Sequence, residues 1–420
     1  MEVAEGRYFT RLDEPIFQNT RYGANSARYS DPVTATSAPR FRLSRMLPRD
    51  PAQPHRAASS LELFFDLVFV VAVSRASAEL HHALAHGEFA HGITSYAMVF
   101  FAIWWAWMNF TWFATSFDTD DWLYRVTTIV QMGGVLILAA GIPQAFAGNF
   151  TVPVIGYIVM RFAMIAQWLR ASRSSEGPLR TATVRYAVGI GAVQVLWILF
   201  LLIPSGPLQL IAFIVFALIE ICVPVFAEFR YQTPWHPHHI TERYGLFTLI
   251  VLGESLLASA NAIITAIDEV DALGPLIGIS VLTLVVTASL WWIYFWPPHH
   301  RAITTFRSSL RYGYTHYFVF AAAAAFSAGI EVQLGVLTHE SHLSAIAASL
   351  TVSIPIAVFL LGVWWIAIRD NADRVVNTVV PIGAALVLID AVLPTSVAIT
   401  AVVMVGIVVT LVLRPPIARS

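Results

Sequence analysis

The sequence predicts an all-α polytopic membrane protein of about twelve transmembrane helices, arranged as two parallel six-helix repeats. Three observations carry that expectation. Of 420 residues, 57 % are hydrophobic and 12 % charged, with a mean hydropathy of +0.68; a soluble chain would carry roughly twice that charged fraction. Apolar runs of about twenty residues recur along the chain, the length a helix needs to cross a bilayer core of ~30 Å. Arginines, which supply all the basic side chains, gather at alternate ends of those runs.

Taken in order, residues 1–58 hold nine arginines against six acidic residues and no sustained apolar period. This predicts a cytoplasmic, largely disordered tail that could contact lipid headgroups or a partner. Spans are expected at 60–83, 92–115, 123–146, 152–171, 183–203, 208–229, 240–266, 273–296, 309–330, 344–368, 375–393 and 396–413. The connections are short, and the division falls between a first unit at 59–230 and a second at 231–420. Arg125, Arg170, Arg173, Arg180, Arg230, Arg301, Arg369, Arg374 and Arg414 all fall on the tail's side, whereas the loops around Gly87, Gly148, Pro204, Asp268, His339 and Pro394 hold essentially none. Both termini are therefore expected in the cytoplasm.

The halves echo one another. Glu62 matches Glu242 at a shift of 180, the WWAW run at Trp104 matches WWIYFW at Trp291 at 187, and Arg125 matches Arg311 at 186. Six spans per half is an even number, so both halves enter from the same side and are related by an axis along the membrane normal.

The stretch from Ser60 to His82 is the candidate functional axis. Glu62 and Asp66 share one helical face, which Phe69 and Val73 continue, while Arg75 and Glu79 can neutralise each other near the far end. The two acids can serve the helix N-terminus, form a hydrogen-bond hub between helices, or attract a cation. Arg161, Glu220 and Glu254 lie near mid-depth, with Glu242 and Arg243 at the start of span seven. Arg161 can pair with Glu220 or Glu254 as a buried bridge, or these groups can line a proton or cation path. Asp390 is placed at the interface.

The motifs SLELFFDLVFVVAVS and ERYGLFTLIVLGES resemble the bacterial low temperature requirement A family over about Arg56 to Arg414. That family name records a growth phenotype and implies no reaction, ligand or ion. The first span is also similar to the opening, pore-lining helix of potassium channels with a Phe-Ser-Asp motif, with Leu61, Glu62, Phe64, Asp66, Val68 and Phe69 at matching positions. Phe65 stands at the motif serine, Leu246 at the second-half aspartate and Tyr244 at the second-half phenylalanine. The resemblance implies two six-helix units with their first helices near an axis, and a homodimer.

His236, His238 and His239 are weak metal candidates, since WHPHH matches no closed zinc pattern. His81, His82, His86 and His91 lie on the outer side. The tryptophan runs read as interfacial belts and packing groups. Gly133, Gly134, Gly141 and the alanines 321–325 permit close helix approach. Cys222 is the one cysteine, so no disulfide framework exists, and no cofactor is implied. No phosphate loop, nucleophile elbow or basic nucleic-acid groove appears. The expected function is movement of a monovalent cation, proton or small solute across the bilayer, either channel-like or proton-coupled. The alternatives are a membrane-embedded enzyme or a non-transporting sensory or structural protein linked to growth in the cold.

Overall fold

The computed structural model of the chain describes residues 43–53, 57–268, 273–393 and 395–417. The tail expected over 1–58 lies mostly outside the described residues, as do 269–272 and Pro394 in two of the expected outer loops. The described part of that tail at 43–53 is docked: Met46 is fully buried, the Arg49 amide donates to the Ser116 carbonyl at 2.9 Å, and the Arg49 guanidinium pairs with Asp118 at 2.9 Å.

Among the described residues every regular element is helical. The elements are α1 (Ser60–Ala85), α2 (Phe89–Phe117), α3 (Trp122–Ala140), α4 (Ile142–Phe146), α5 (Thr151–Ser174), α6 (Gly177–Phe200), α7 (Pro207–Ile221), α8 (Val223–Glu228), α9 (Pro237–Asp268), α10 (Leu273–Phe295), α11 (Phe306–Leu337), α12 (Ala345–Val363), α13 (Arg374–Asp390) and α14 (Ser396–Leu413). A short 3-10 turn (His299–Ala302) precedes α11, and a π-helical turn (Trp364–Ile368) extends α12.

Among the described residues, ten helical spans are long and apolar enough to cross a membrane, with α7–α8 counting as one. Two further helices complete the predicted dozen positions. α13 has only 17 residues, and α1 has 26 but carries Glu62, Asp66, Arg75 and Glu79. A 26-residue helix is ~39 Å long, ample for a bilayer core, provided its charges are neutralised inside the protein.

Local chemistry sets the ends. Ser59 caps α1 in a reciprocal box: its hydroxyl accepts from the Glu62 amide, and the Glu62 carboxylate accepts from the Ser59 amide at 2.7 Å. Asp121 caps α3 through the Tyr124 amide at 2.9 Å. Burial works to raise the Asp121 carboxyl, but the Arg170 guanidinium and the Tyr124 and Ser44 amides hold it below the ordinary carboxylate range. Pro143 and Pro224 open the short helices α4 and α8, where a missing amide costs nothing, and so break spans three and six.

Neighbour order occurs twice. α1 packs on α2 and α3, as α9 packs on α10 and α11; α3 packs on α5, as α11 packs on α12; α5 packs on α6, as α12 packs on α13. The closest crossings correspond too. A Cβ at Gly156 of α5 would run into the Leu138 backbone of α3, and one at Gly329 of α11 would run into the Thr351 carbonyl of α12. Gly134 and Gly141 likewise face α5, whereas Gly133 meets nothing within 4 Å and plays no such part. α1 sits centrally, touching α2, α3, α9 and α11.

Candidate functional site

The α1–α9 crossing holds the candidate site. Its face on α1 is acidic and its face on α9 is basic, each with its two groups four residues apart. Glu62 and Asp66 are each 1 % exposed, and His239 and Arg243 are each 0 % exposed. Arg243 donates to both oxygens of Asp66, from Nε at 2.9 Å and from Nη2 at 2.6 Å. Its Nη1 lies 3.0 Å from Glu62 Oε1, and His239 Nε2 lies 3.2 Å from the same oxygen. From α2, the Trp107 indole donates to Asp66 Oδ1 at 2.6 Å.

Planar, bidentate pairing suits guanidinium and carboxylate geometry, and it explains why a charged group tolerates this burial. The cluster sums to zero charge when His239 is protonated and to one negative charge when it is neutral.

Above the ion cluster, α1, α9 and α11 meet through rings. Phe69 packs edge-on to Phe247 at 6.5 Å, Trp107 stacks on Phe247 at 4.4 Å, and Phe320 closes on Phe247 at 4.9 Å. Phe69 and Val73 are 1 % and 0 % exposed, so the stripe forms a packed barrier here. Phe64, which the sequence resemblance aligns with the channel motif, is 52 % exposed and points away from the seam.

Beyond the barrier, polar groups return. Glu254 of α9 has the Ser74 hydroxyl of α1 as its side-chain partner, and Glu331 of α11 lies within electrostatic reach. Glu331 pairs in turn with His81 Nδ1 at 3.2 Å. Glu254, Glu331 and His81 thus run from mid-helix toward the C-terminal end of α1.

The remaining expected residues separate from this seam. Arg161 pairs with Glu220 at 2.9 Å in the first half, where Tyr157 and Trp197 donate to the two oxygens of Glu220 at 2.7 and 2.8 Å. With both ions about 98 % buried and so well supplied with partners, this pair reads as structural. Glu242 is exposed and joins neither cluster, so its sequence match to Glu62 does not extend to a shared environment. The residues that face Glu62 and Asp66 are instead His239 and Arg243, both at a separation of 177.

The three clustered histidines diverge as well. The His239 ring turns to Glu62, exposed His238 stacks on His300 at 4.1 Å, and His236 Nδ1 accepts the His239 amide at 3.3 Å. Among the described residues, no group of three or more His, Cys, Asp or Glu side chains is arranged to hold a metal. His82 and His86 stack at 4.8 Å, and His91 engages the Phe146 carbonyl. Asp390, expected at the interface, is 2 % exposed and accepts from the Ser353, Ser396 and Thr400 hydroxyls. Trp104, Trp105 and Trp107 are core residues and not an interfacial belt, at 2 % exposure or less, because they sit mid-helix on α2. Trp107 was missed by sequence reasoning, since nothing in WWAW distinguishes the indole that meets a carboxylate.

The profile of the family described as Bacterial low temperature requirement A protein (LtrA) matches residues 57–413. The chain belongs to the LtrA family. A similar protein is "Uncharacterized protein RA0937" of Rhizobium meliloti (strain 1021), 30 % identical over 258 residues. That match covers 58 % of this LtrA protein and 60 % of the relative, so the chain spans about three-fifths of that relative's length.

Proposed function

We propose that this LtrA protein moves a small cation, or a small solute coupled to protons, across the bacterial cytoplasmic membrane along the α1–α9–α11 seam. In this reading both termini are cytoplasmic, and the halves 59–230 and 231–420 move relative to each other about their first helices. One observation carries it: ionisable side chains occupy a single seam on both sides of an aromatic barrier. Intramembrane ionisable groups are costly and usually mark a path. A barrier of Phe69, Trp107, Phe247 and Phe320 favours gated or coupled movement over a permanently open pore.

The Glu62–Asp66–His239–Arg243 cluster would act as the inner latch between halves, and Glu254 as the group that changes protonation beyond the barrier. The test is flux from liposomes holding purified protein, loaded with potassium or sodium and a pH-sensitive dye. Flux that falls by about tenfold or more in Glu254→Gln while the protein stays folded is the expected result. Undiminished flux in that variant removes Glu254 from the path, and no flux of any ion in the native protein removes transport.

A further inference from the structure

A second site lies off the seam. At the arginine-rich end, a cavity of about 40 Å³ is enclosed by α2, α5, α6 and α8 on one side and the start of α11 on the other. Its wall is aromatic, from Trp112, Trp168, Tyr186 and Tyr314, and its polar groups include Glu228 and Asn109. Glu228 is only 7 % exposed. The Tyr186 and Thr233 hydroxyls both donate to its Oε1, at 2.9 and 2.6 Å, and the Thr233 backbone amide is a further hydrogen-bond partner of the carboxylate. Asn109 uses its amide N–H on the Trp105 carbonyl at 2.7 Å, which leaves its oxygen as an acceptor.

Among the described residues, no arginine or histidine lines this cavity, and Glu228 forms no salt bridge. The contrast with Glu62, Asp66 and Glu220, each of which meets a guanidinium, is direct. Buried carboxylates are ordinarily paired with a cation. Aromatic faces around a carboxylate attract ammonium-type cations through the ring quadrupole, and they disfavour strongly hydrated metal ions. The volume suits roughly three water-sized groups.

We propose that this cavity binds a small primary ammonium ion, held by the Glu228 carboxylate and the Asn109 carbonyl against the Trp112 ring. The site draws on both halves of the chain, since Tyr314 and its neighbours come from α11. Trp112 also donates to the Tyr244 hydroxyl at 3.1 Å, next in sequence to Arg243, which joins the cavity to the ion cluster. Binding does not rest on the transport reading and is measured at equilibrium.

The experiment titrates full-length protein in lipid nanodiscs with methylammonium chloride at constant ionic strength, following tryptophan fluorescence. Methanol serves as the neutral isostere and sodium as the hydrated cation. The expected result is a saturable response to methylammonium alone, with affinity reduced about tenfold or more in Glu228→Gln. Glutamine keeps an acceptor for Tyr186 and Thr233; should that variant misfold, the comparison of methylammonium with methanol in the native protein still decides. An equal response to methanol or sodium, a response that never saturates, or unchanged affinity in folded Glu228→Gln overturns the proposal.

Discussion

Replacing Arg243 by methionine tests the central cluster most directly. Arg243 makes three short contacts to two carboxylates, at 2.9 and 2.6 Å to Asp66 and 3.0 Å to Glu62. Glu62 would keep His239 at 3.2 Å and the Ser59 amide at 2.7 Å, so the damage falls on Asp66, left with Trp107 alone. Stranding one member of a buried ion pair costs ~3–5 kcal/mol. Asp66→Asn should cost less, ~1–3 kcal/mol, because asparagine still accepts from Trp107 and the guanidinium still meets Glu62. The double variant removes the stranded charge and should be more stable than Arg243→Met alone, with a coupling energy of ~2 kcal/mol or more. Denaturant titration in mixed micelles, read by the fluorescence of the 13 tryptophans, measures all three. Additive effects within ~0.5 kcal/mol, or a loss under ~1 kcal/mol for Arg243→Met, would refute the coupled-cluster argument.

Other outcomes follow from the same physics. Gly156→Val drives side-chain atoms into the Leu138 backbone and should cost ~1–3 kcal/mol or more, whereas Gly133→Ala, with open space around it, should be neutral or slightly stabilising in the same titration. His299 is held neutral: burial pushes its imidazole down from 6.5 to about 4, against the pull of the Tyr294 carbonyl at 2.6 Å. Its folded pKa lies below its unfolded one, so its stabilising contribution is full above pH ~6.5 and is lost as pH falls toward ~4, by at most about 3 kcal/mol. The difference in stability between native protein and His299→Gln, followed across that window, should show this slope; a flat difference contradicts it. Glu242→Gln, at an exposed position, should leave both stability (within ~0.5 kcal/mol) and liposome flux unchanged, in contrast to Glu62→Gln.

Composition and hydropathy by themselves determined the class of this protein. Burying every backbone amide in lipid leaves helices as the economical solution, so repeated apolar runs translate directly into spans, and the expected ranges fall within a few residues of the helices along most of the chain. The family was legible as well, because its motifs at Leu61–Asp66 and Glu242–Ser255 are local strings. The i, i+4 spacing also put Glu62 and Asp66 on one face without any knowledge of the fold.

Pairing was another matter. A helix announces which residues share a face, but not which helix that face meets. Whether Arg161 pairs with Glu220 or Glu254 depends on how α5 sits against α7, and only the tertiary structure decided it. Aligning like with like drew attention to Glu242, whereas two helices in contact are stabilised by unlike groups, so the partners of Glu62 and Asp66 are His239 and Arg243. The same reason hid Glu228, Trp107 and Trp112. Each is unremarkable in its own helix and acquires its chemistry from side chains 5 to 132 positions away, brought together by packing that no local pattern encodes.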